Sequence, residues 1–272
     1  MGVSRIDACF AGLKSQNKAA FIAYIMAGDP DLEQAFATLK GLPEAGADII
    51  ELGFPFSDPM AEGPTIQHAA ERALKNGTKI ADVFELVRRF RETDQTTPII
   101  LMGYMNPVES RGPAVWAQAM HDCGADGLIV VDCPPEEADP LSDALDVHDL
   151  ALIRLATPTT DAARLQTLVK RTRGFIYYVS VAGVTGVKEA DANAVAGQVI
   201  KVREASGLPV AVGFGIRSPE RAAEVARVAD AAVVGSALVD EIHTSLLENT
   251  LASAKVLEKA AILAKAVHSA RN

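Results

Sequence analysis

The sequence predicts a single (β/α)8 barrel, the TIM-barrel architecture, preceded by one extra helix. Its 272 residues match the roughly 250 that one such barrel usually occupies. Short apolar runs of strand type alternate with amphipathic helical patterns along the chain. The runs begin near residues 21, 48, 98, 127, 151, 175, 209 and 231. Eight strands with intervening helices are what a closed parallel barrel requires.

The first element is a predicted helix over residues 4–16. Ile6, Cys9, Phe10 and Leu13 recur there at helical spacing, and because this segment precedes the first strand we expect it to close the bottom of the barrel. The ring helices are predicted over residues 31–44, 64–76, 80–92, 113–122, 136–148, 161–173, 193–205 and 219–229, with a helical tail over 243–271.

A weak internal repeat supports the same architecture. The segments EAGADIIELG, DCGADGLIVVD and RVADAAVVGS each join the end of a helix to a strand through a small residue and an Ala-Asp pair. An open doubly wound sheet has the same alternation, but no GxGxxG follows the first strand. No linker divides the chain, so the sequence predicts one domain over residues 1–272.

Composition excludes several classes of function. The net charge of −9 argues against a nucleic-acid surface, which requires a clustered basic face. No apolar run approaches the 18 residues of a membrane span. Cys9, Cys123 and Cys133 are widely spaced and odd in number, so neither a disulfide framework nor a zinc site is indicated, and we expect a cytoplasmic protein.

One stretch, DIIELGFPFSDPMAEGPTIQ over residues 48–67, carries the clearest chemical signal. Glu51 interrupts an apolar strand, where an ionised carboxylate without partners is costly. The loop that follows carries two more acids, Asp58 and Glu62. A carboxylate at the carboxyl end of a strand is how a (β/α)8 barrel presents a catalytic group. A structural acid bonded to loop amides is the alternative.

Three glycine-bearing turns follow the last three predicted strands. They cover residues 182–186, with Thr185 and Gly186, then 213–216, with Gly215, and finally Gly235 and Ser236. Glycine lets backbone N–H groups approach an anion closely, and loops after strands seven and eight commonly bind phosphate in these barrels. Ser236 can open a helix whose first N–H groups face that anion. Relief of crowding at barrel corners is the alternative.

An apolar wall for an aromatic substrate is predicted beside these turns. Met102 and Tyr104 lie near the end of strand three, and Ile66 and Phe214 lie in the adjoining segments. Ordinary core packing explains the four side chains equally well. Tyr177, in strand six, either directs its hydroxyl at a reacting group or at Glu51, or fills the barrel as an aromatic core residue.

Other candidates carry weaker signals. Asp29 is interpreted as a cap for the helix that starts near Asp31, and Asp132 either faces the pocket or braces a loop. A Schiff-base mechanism needs a lysine at a strand end, and Lys188 lies beyond the glycine turn instead. The histidines all fall in predicted helices, so no metal site is expected. They are His68, His121, His148, His243 and His268.

Five motifs together resemble a known family. ELGFPFSDPMAEGPTIQ, LMGYMNP, YVSVAGVTG, GFGIRSPE and VVGSALV are similar to motifs of the α subunit of tryptophan synthase. The resemblance implies a lyase that cleaves indole-3-glycerol phosphate to indole and glyceraldehyde 3-phosphate, by a retro-aldol reaction of tryptophan biosynthesis, without a cofactor of its own. It also implies an αββα heterotetramer with a β subunit that carries pyridoxal phosphate.

The same resemblance assigns roles to individual residues. Glu51 matches the general acid/base and Tyr177 the tyrosine close to it. The phosphate-binding positions match Gly186, Gly215, Gly235 and Ser236. The second catalytic acid of the family is an aspartate, whereas this chain has Glu62. The extra methylene displaces the carboxylate by about one carbon–carbon bond unless the loop adjusts, and a misplacement of about 1 Å can lower a rate roughly a hundredfold.

Two other functions fit part of the pattern. One is another phosphate-binding barrel of aromatic amino-acid synthesis, such as a phosphoribosyl-amine isomerase or the synthase of indole-glycerol phosphate, although no strand-end lysine supports that synthase. The other is a binding or regulatory subunit that keeps the phosphate site, with chemistry weakened by Glu62. Indole release from indole-3-glycerol phosphate distinguishes these functions.

Overall fold

A computed structural model of the chain describes residues 2–179, 192–213 and 215–271. Within them, eight parallel strands form a closed barrel in sequential order, which confirms the predicted fold. The strands are β1 (Ala20–Met26), β2 (Ile49–Gly53), β3 (Ile99–Gly103), β4 (Gly127–Val130), β5 (Ala151–Ala156), β6 (Ile176–Val179), β7 (Val210–Gly213) and β8 (Ala231–Val234). Because both faces of each strand are covered, the strands are almost continuously apolar.

Helices surround the barrel and also precede it. They are α1 (Gly2–Ser15), α2 (Leu32–Gly41), α3 (Pro64–Lys75), α4 (Ile80–Arg91), α5 (Met105–Arg111), α6 (Pro113–Cys123), α7 (Asp139–Val147), α8 (Ala162–Val169), α9 (Ala192–Ser206), α10 (Pro219–Val228), α11 (Ser236–Glu248) and α12 (Ala252–His268), with a 3-10 turn at Pro135–Glu137. Within the described part of the chain, none of them is long and apolar enough to cross a membrane.

The structure differs from the prediction in three places. Helix α5 lies in a segment where the sequence analysis assigns no helix. Pro107 falls in its first turn, where the missing N–H of proline is tolerated. The helix predicted over 136–148 begins with the 3-10 turn, and α7 starts only at Asp139. The helical tail divides at Asn249, whose left-handed backbone (φ 56°) ends α11.

Two apolar groups hold the barrel together. Alternate strand residues, such as Ile49, Ile100 and Ile153, point into the barrel, and Ile6 and Phe10 of α1 join them. Helix α1 therefore closes the bottom of the barrel, as predicted. The remaining strand residues pack outward against the ring helices. Each fully buried aliphatic or aromatic side chain contributes roughly 1.5–3 kcal/mol relative to its exposed state.

A buried ion cluster connects α1 to the bottom of the barrel. Asp126, just before β4, is fully buried and accepts hydrogen bonds from Arg5 Nη1 at 2.7 Å and Arg91 Nη2 at 2.7 Å. The backbone N–H of Ile99 donates a further bond at 2.8 Å. Burial raises the pKa of Asp126 and the two guanidinium groups oppose that rise. The cluster supplies the charge partners that a buried carboxylate needs.

Candidate active site

Glu51 lies in the middle of β2 with its side chain directed into the barrel. Its neighbours in register are Tyr24 of β1 and Ile100 of β3, and it shares the inward face with Ile49. Only 1% of the residue is exposed. One carboxyl oxygen, Oε1, has no hydrogen-bond partner among the described residues. The observed surroundings therefore contradict the alternative of an acid satisfied by loop amides.

The environment of Glu51 favours its protonated form. Loss of hydration on burial is the largest cause, the nearby Glu62 carboxylate is the second, and together they raise the pKa of Glu51 to about 8. At pH 7 the group therefore carries a proton in most molecules. A carboxylic acid with a pKa near neutrality is suited to general acid catalysis.

Glu62 lies in the loop between β2 and α3, and side chains hold this loop over the barrel mouth. Tyr104 Oη accepts a hydrogen bond from the Ala61 N–H at 2.9 Å, and Gln67 Nε2 donates to the Glu62 carbonyl at 2.9 Å. The residue as a whole is half-buried. Loss of hydration raises its pKa to about 7, so Glu62 ionises before Glu51 as the pH rises.

Tyr177 lies on the inward face of β6, on the other side of the barrel interior. A Cβ built on Gly213 would lie 2.0 Å from the Tyr177 hydroxyl oxygen, so a larger residue at that position of β7 would displace the Tyr177 ring. Burial, then the charge of Glu51, then that of Glu62, raises the pKa of Tyr177 well above its usual value. The hydroxyl stays neutral and remains a hydrogen-bond donor in the field of both acids.

Tyr24 is a residue of this site that sequence reasoning missed. A Cβ on Gly53 would lie 2.3 Å from the Tyr24 hydroxyl oxygen, and a Cβ on Gly235 would lie 3.3 Å from its ring. Tyr24 therefore spans from the end of β2 to the end of β8. After burial, Glu62 and then Glu51 are the largest causes that raise the pKa of Tyr24. Its register position beside Glu51 is the signal that identifies it.

The predicted phosphate-binding residues fall partly within the described chain. Gly215 has a left-handed backbone (φ 77°) with no heavy atom within 4 Å of an ideal Cβ, so its turn is open and needs glycine. Gly235 precedes α11 and Ser236 is its first residue, so the first N–H groups of this helix lie beside Tyr24. Thr185 and Gly186 lie outside the described residues, and their roles stay predictions.

The predicted apolar wall is partly assembled. Ile66 is buried in one cluster with Tyr24, and Met102 packs against that cluster. Tyr104 stacks on Phe56, with ring centroids 5.2 Å apart. Phe214 lies outside the described residues. Whether the wall contacts a substrate stays a prediction.

Two acids serve structural purposes. Asp29 pairs with Arg72 at 2.7 Å, and α2 is capped by Asp31, which accepts from the Gln34 N–H at 2.9 Å; the interpretation of Asp29 as the cap is therefore wrong. Asp132 accepts a hydrogen bond from the Met105 N–H at 2.7 Å, which is the loop-bracing alternative. Among the described residues, no group of three His, Cys, Asp or Glu side chains is placed to hold a metal ion.

Comparison with known proteins agrees with this geometry. The family model described as tryptophan synthase alpha chain matches residues 10–268. A tryptophan synthase alpha chain of Phenylobacterium zucineum (strain HLK1) is 66% identical over 271 residues, covering 100% of this chain and 98% of the relative. That of Caulobacter vibrioides (strain NA1000 / CB15N) is 65% identical with the same coverage.

Solved structures give the same result. The crystal structure of tryptophan synthase subunit alpha from Legionella pneumophila str. Paris superposes with a TM-score of 0.90 at 42% identity, covering 97% of this chain and 98% of that one. A tryptophan synthase structure from M. tuberculosis superposes with a TM-score of 0.87 at 36% identity. The family model, these relatives and these solved structures agree, and the chain belongs to the tryptophan synthase alpha chain family.

Proposed function

We propose that this chain cleaves indole-3-glycerol phosphate to indole and glyceraldehyde 3-phosphate with Glu51 and Glu62 as its catalytic acids. Membership of the family makes the chain a carbon–carbon lyase of tryptophan biosynthesis. The observation that carries the residue assignment is the buried, unpartnered Glu51 carboxyl, which faces the barrel interior with its pKa raised to about 8.

In the first step, Glu51 donates its proton to C3 of the indole ring. The ring nitrogen then carries the positive charge as an iminium group. When the bond between C3 and the glycerol side chain breaks, its electron pair returns to the ring and neutralises that charge. The hydroxyl on the departing carbon loses its proton to a carboxylate or a water and becomes the aldehyde of glyceraldehyde 3-phosphate.

Glu62 stabilises the cation that forms between these events. As a carboxylate it accepts a hydrogen bond from the indole N–H, and its negative charge lowers the energy of the protonated ring. Its loop is held by Tyr104 and Gln67, so these bonds fix where the longer glutamate side chain begins. The pKa of about 7 leaves roughly half of the molecules with this carboxylate ionised at neutral pH.

The two inward tyrosines lie in the electrostatic field of the two acids. Burial and the charges of Glu51 and Glu62 keep both hydroxyls neutral, and in the proposal they turn to donate hydrogen bonds to these carboxylates as the carboxylates ionise. The aromatic part of the substrate lies against Ile66, Met102, Tyr104 and Phe214.

The phosphate lies at the glycine turns after the last three strands. The N–H groups at the start of α11 carry partial positive charge, and an anion is favoured there. Gly235 and Ser236 provide this part of the site, and Gly215 provides an open turn beside it. Thr185 and Gly186 complete the set of phosphate ligands in the proposal.

The wider assembly follows from the family. The proposed partner is a tryptophan synthase β subunit, in an αββα heterotetramer whose pyridoxal phosphate belongs to the partner. This chain, as one cytoplasmic domain over residues 1–272, then needs no cofactor of its own. Nucleic acid and membrane are not partners in the proposal.

Indole release tests the function directly. The purified chain is incubated with indole-3-glycerol phosphate, alone and with the β subunit, and free indole is measured. We expect release in both cases and a faster rate in the complex. Release that is absent in both would contradict the lyase assignment, and release of indole-glycerol phosphate from a linear precursor would indicate the related synthase.

A further inference from the structure

A cavity of about 490 Å³ lies at the carboxyl ends of β4 and β5. In the closed strand order, these strands are opposite β8 and β1, so the cavity lies across the barrel mouth from Gly235 and Ser236. The walls include Cys133, Arg154 and Thr157. The volume is in the range of small-molecule sites.

Arg154 is the unusual residue of this cavity. It is a guanidinium on the outward face of β5, and only 7% of the residue is exposed. Its Nε–H has no hydrogen-bond partner among the described residues, and its Nη1 reaches the Cys133 carbonyl only at 3.5 Å. Burial lowers the pKa of Arg154. A buried cation that is so weakly bonded is unfavourable unless an anion accompanies it.

Three neighbouring carboxylates make their contacts elsewhere, two with other arginines and one with a backbone N–H. Glu136 pairs with Arg164 at 2.5 Å, and Asp139 pairs with Arg171 at 3.3 Å. Asp132, on the cavity wall, accepts the Met105 N–H. None of these contacts goes to the guanidinium of Arg154. Its positive charge is therefore balanced only by carboxylates at a distance and not by a direct ion pair.

Hydroxyl donors line the same cavity. Thr157 Oγ1 lies 2.8 Å from Thr159 Oγ1, and Thr160 Oγ1 accepts the Thr157 N–H at 3.0 Å. A hydroxyl has one hydrogen to donate and two lone pairs, so this chain of threonines keeps donor capacity for a ligand. Arg164 adds a second guanidinium to the wall.

We propose that this cavity binds a small oxyanion, a phosphate monoester or a carboxylate, which Arg154 and the threonine hydroxyls hold. Two parallel N–H···O bonds to one anion match the planar guanidinium fork, a geometry that Arg provides and Lys does not. Because the site lies opposite the proposed substrate phosphate, it adds a second anion site at the barrel mouth and does not depend on the proposed reaction.

Thermal unfolding with added anion tests the proposal. Ser236→Asp serves as the background, because an acid at the first turn of α11 repels phosphate from that helix end and is compatible with the helix. Inorganic phosphate and malonate are titrated separately, each against sodium chloride of equal ionic strength. We expect the melting temperature to rise by about 4 °C at ten times the dissociation constant, and to rise no more than in chloride when Arg154→Leu is added.

The matched control is Arg88→Leu in the same background, which removes an exposed arginine of α4 and should keep the full rise. An equal rise with and without Arg154, or no rise in either protein, would overturn the proposal. If Arg154→Leu does not fold, the NMR resonance of the Arg154 Nε–H group in the Ser236→Asp protein tests whether an anion binds there. This resonance should shift on addition of phosphate or malonate. A shift no larger than the one in sodium chloride of equal ionic strength would show that the site does not bind these anions. The anion that gives the larger response identifies the class of ligand.

Discussion

Asp126 at the bottom of the barrel and Glu51 in its interior are both almost fully buried, at 0% and 1% exposure. Asp126 is bonded to Arg5, Arg91 and a backbone N–H, whereas one oxygen of Glu51 has no described partner. Burial alone therefore does not distinguish a structural acid from a catalytic one. The partners do, because they decide which protonation state is stable.

The largest effect should come from Glu51→Gln, which keeps the shape of the protonated side chain and removes its acidic proton. We expect kcat for indole release to fall by about 10³-fold, within the range of general acid–base catalysis, with the affinity for glycerol phosphate unchanged. Steady-state indole release and equilibrium binding measure the two quantities. Asp126→Asn is the matched acid-to-amide control, and its rate per folded molecule should stay near wild type; a Glu51→Gln protein with normal turnover would remove the assignment.

The second-largest effect on kcat should come from substitutions of Glu62, because both its charge and its position contribute. Glu62→Ala removes the carboxylate that stabilises the indole cation, and we expect a loss of about 10²–10³-fold in kcat. Glu62→Asp keeps the charge and restores the family's residue, so activity should be kept or raised. Glu62→Gln, with the same length and no charge, is the control that separates the two properties. Unchanged turnover in Glu62→Ala would show that the loop acid takes no part in the reaction.

Amide substitutions of the two buried acids should change the free energy of unfolding in opposite directions. Glu51 ionises near pH 4.5 when unfolded and near pH 8 when folded, so its contribution to stability is complete below about pH 4.5 and is lost as the pH rises to 8. The loss is about 5 kcal/mol at its limit. Glu51→Gln does not titrate, so urea unfolding should show a flatter pH dependence and a variant more stable than wild type at pH 8.5.

Asp126→Asn, in contrast, should lower the free energy of unfolding. It removes the carboxylate that the half-buried Arg5 and the buried Arg91 share, and we expect the free energy of unfolding to decrease by about 3–5 kcal/mol. Urea unfolding at pH 7 measures the change. A stabilised Asp126→Asn, or a Glu51→Gln as pH-dependent as wild type, would show that the partners of the two acids do not explain their difference.

The same contrast explains how much the sequence predicts. Glu51 is found because an acid interrupts an apolar strand, and the eight strands are found because buried parallel strands are continuous apolar runs. Tyr24 is missed for that very reason, whereas Arg154 interrupts the apolar run of β5 just as Glu51 interrupts that of β2. In a strand covered on both faces, hydrophobicity does not show which residues point inward, and only the closed register places Tyr24 beside Glu51. Helix α5 is missed because Pro107 in a short segment resembles a loop.

The smallest effect should come from Tyr24→Phe, which keeps the ring against Gly235 and removes the hydroxyl. The pH profile of wild-type kcat should be a narrow bell. It should rise as Glu62 ionises near pH 7 and fall as Glu51 loses its proton near pH 8. We expect the neutral Tyr24 hydroxyl to donate to Glu62 once that carboxylate ionises, so its removal should raise the pKa of Glu62.

Loss of a hydrogen bond to a charged group corresponds to about one pH unit, so kcat should fall about tenfold at pH 6 and much less near pH 8. The pH profile of kcat measures this shift. Tyr178→Phe is the matched control, because that tyrosine packs outward from β6 and its profile should equal wild type. An acidic limb that stays near pH 7 in Tyr24→Phe would show that Tyr24 contributes only its ring, and that Glu62 depends on its loop for its position.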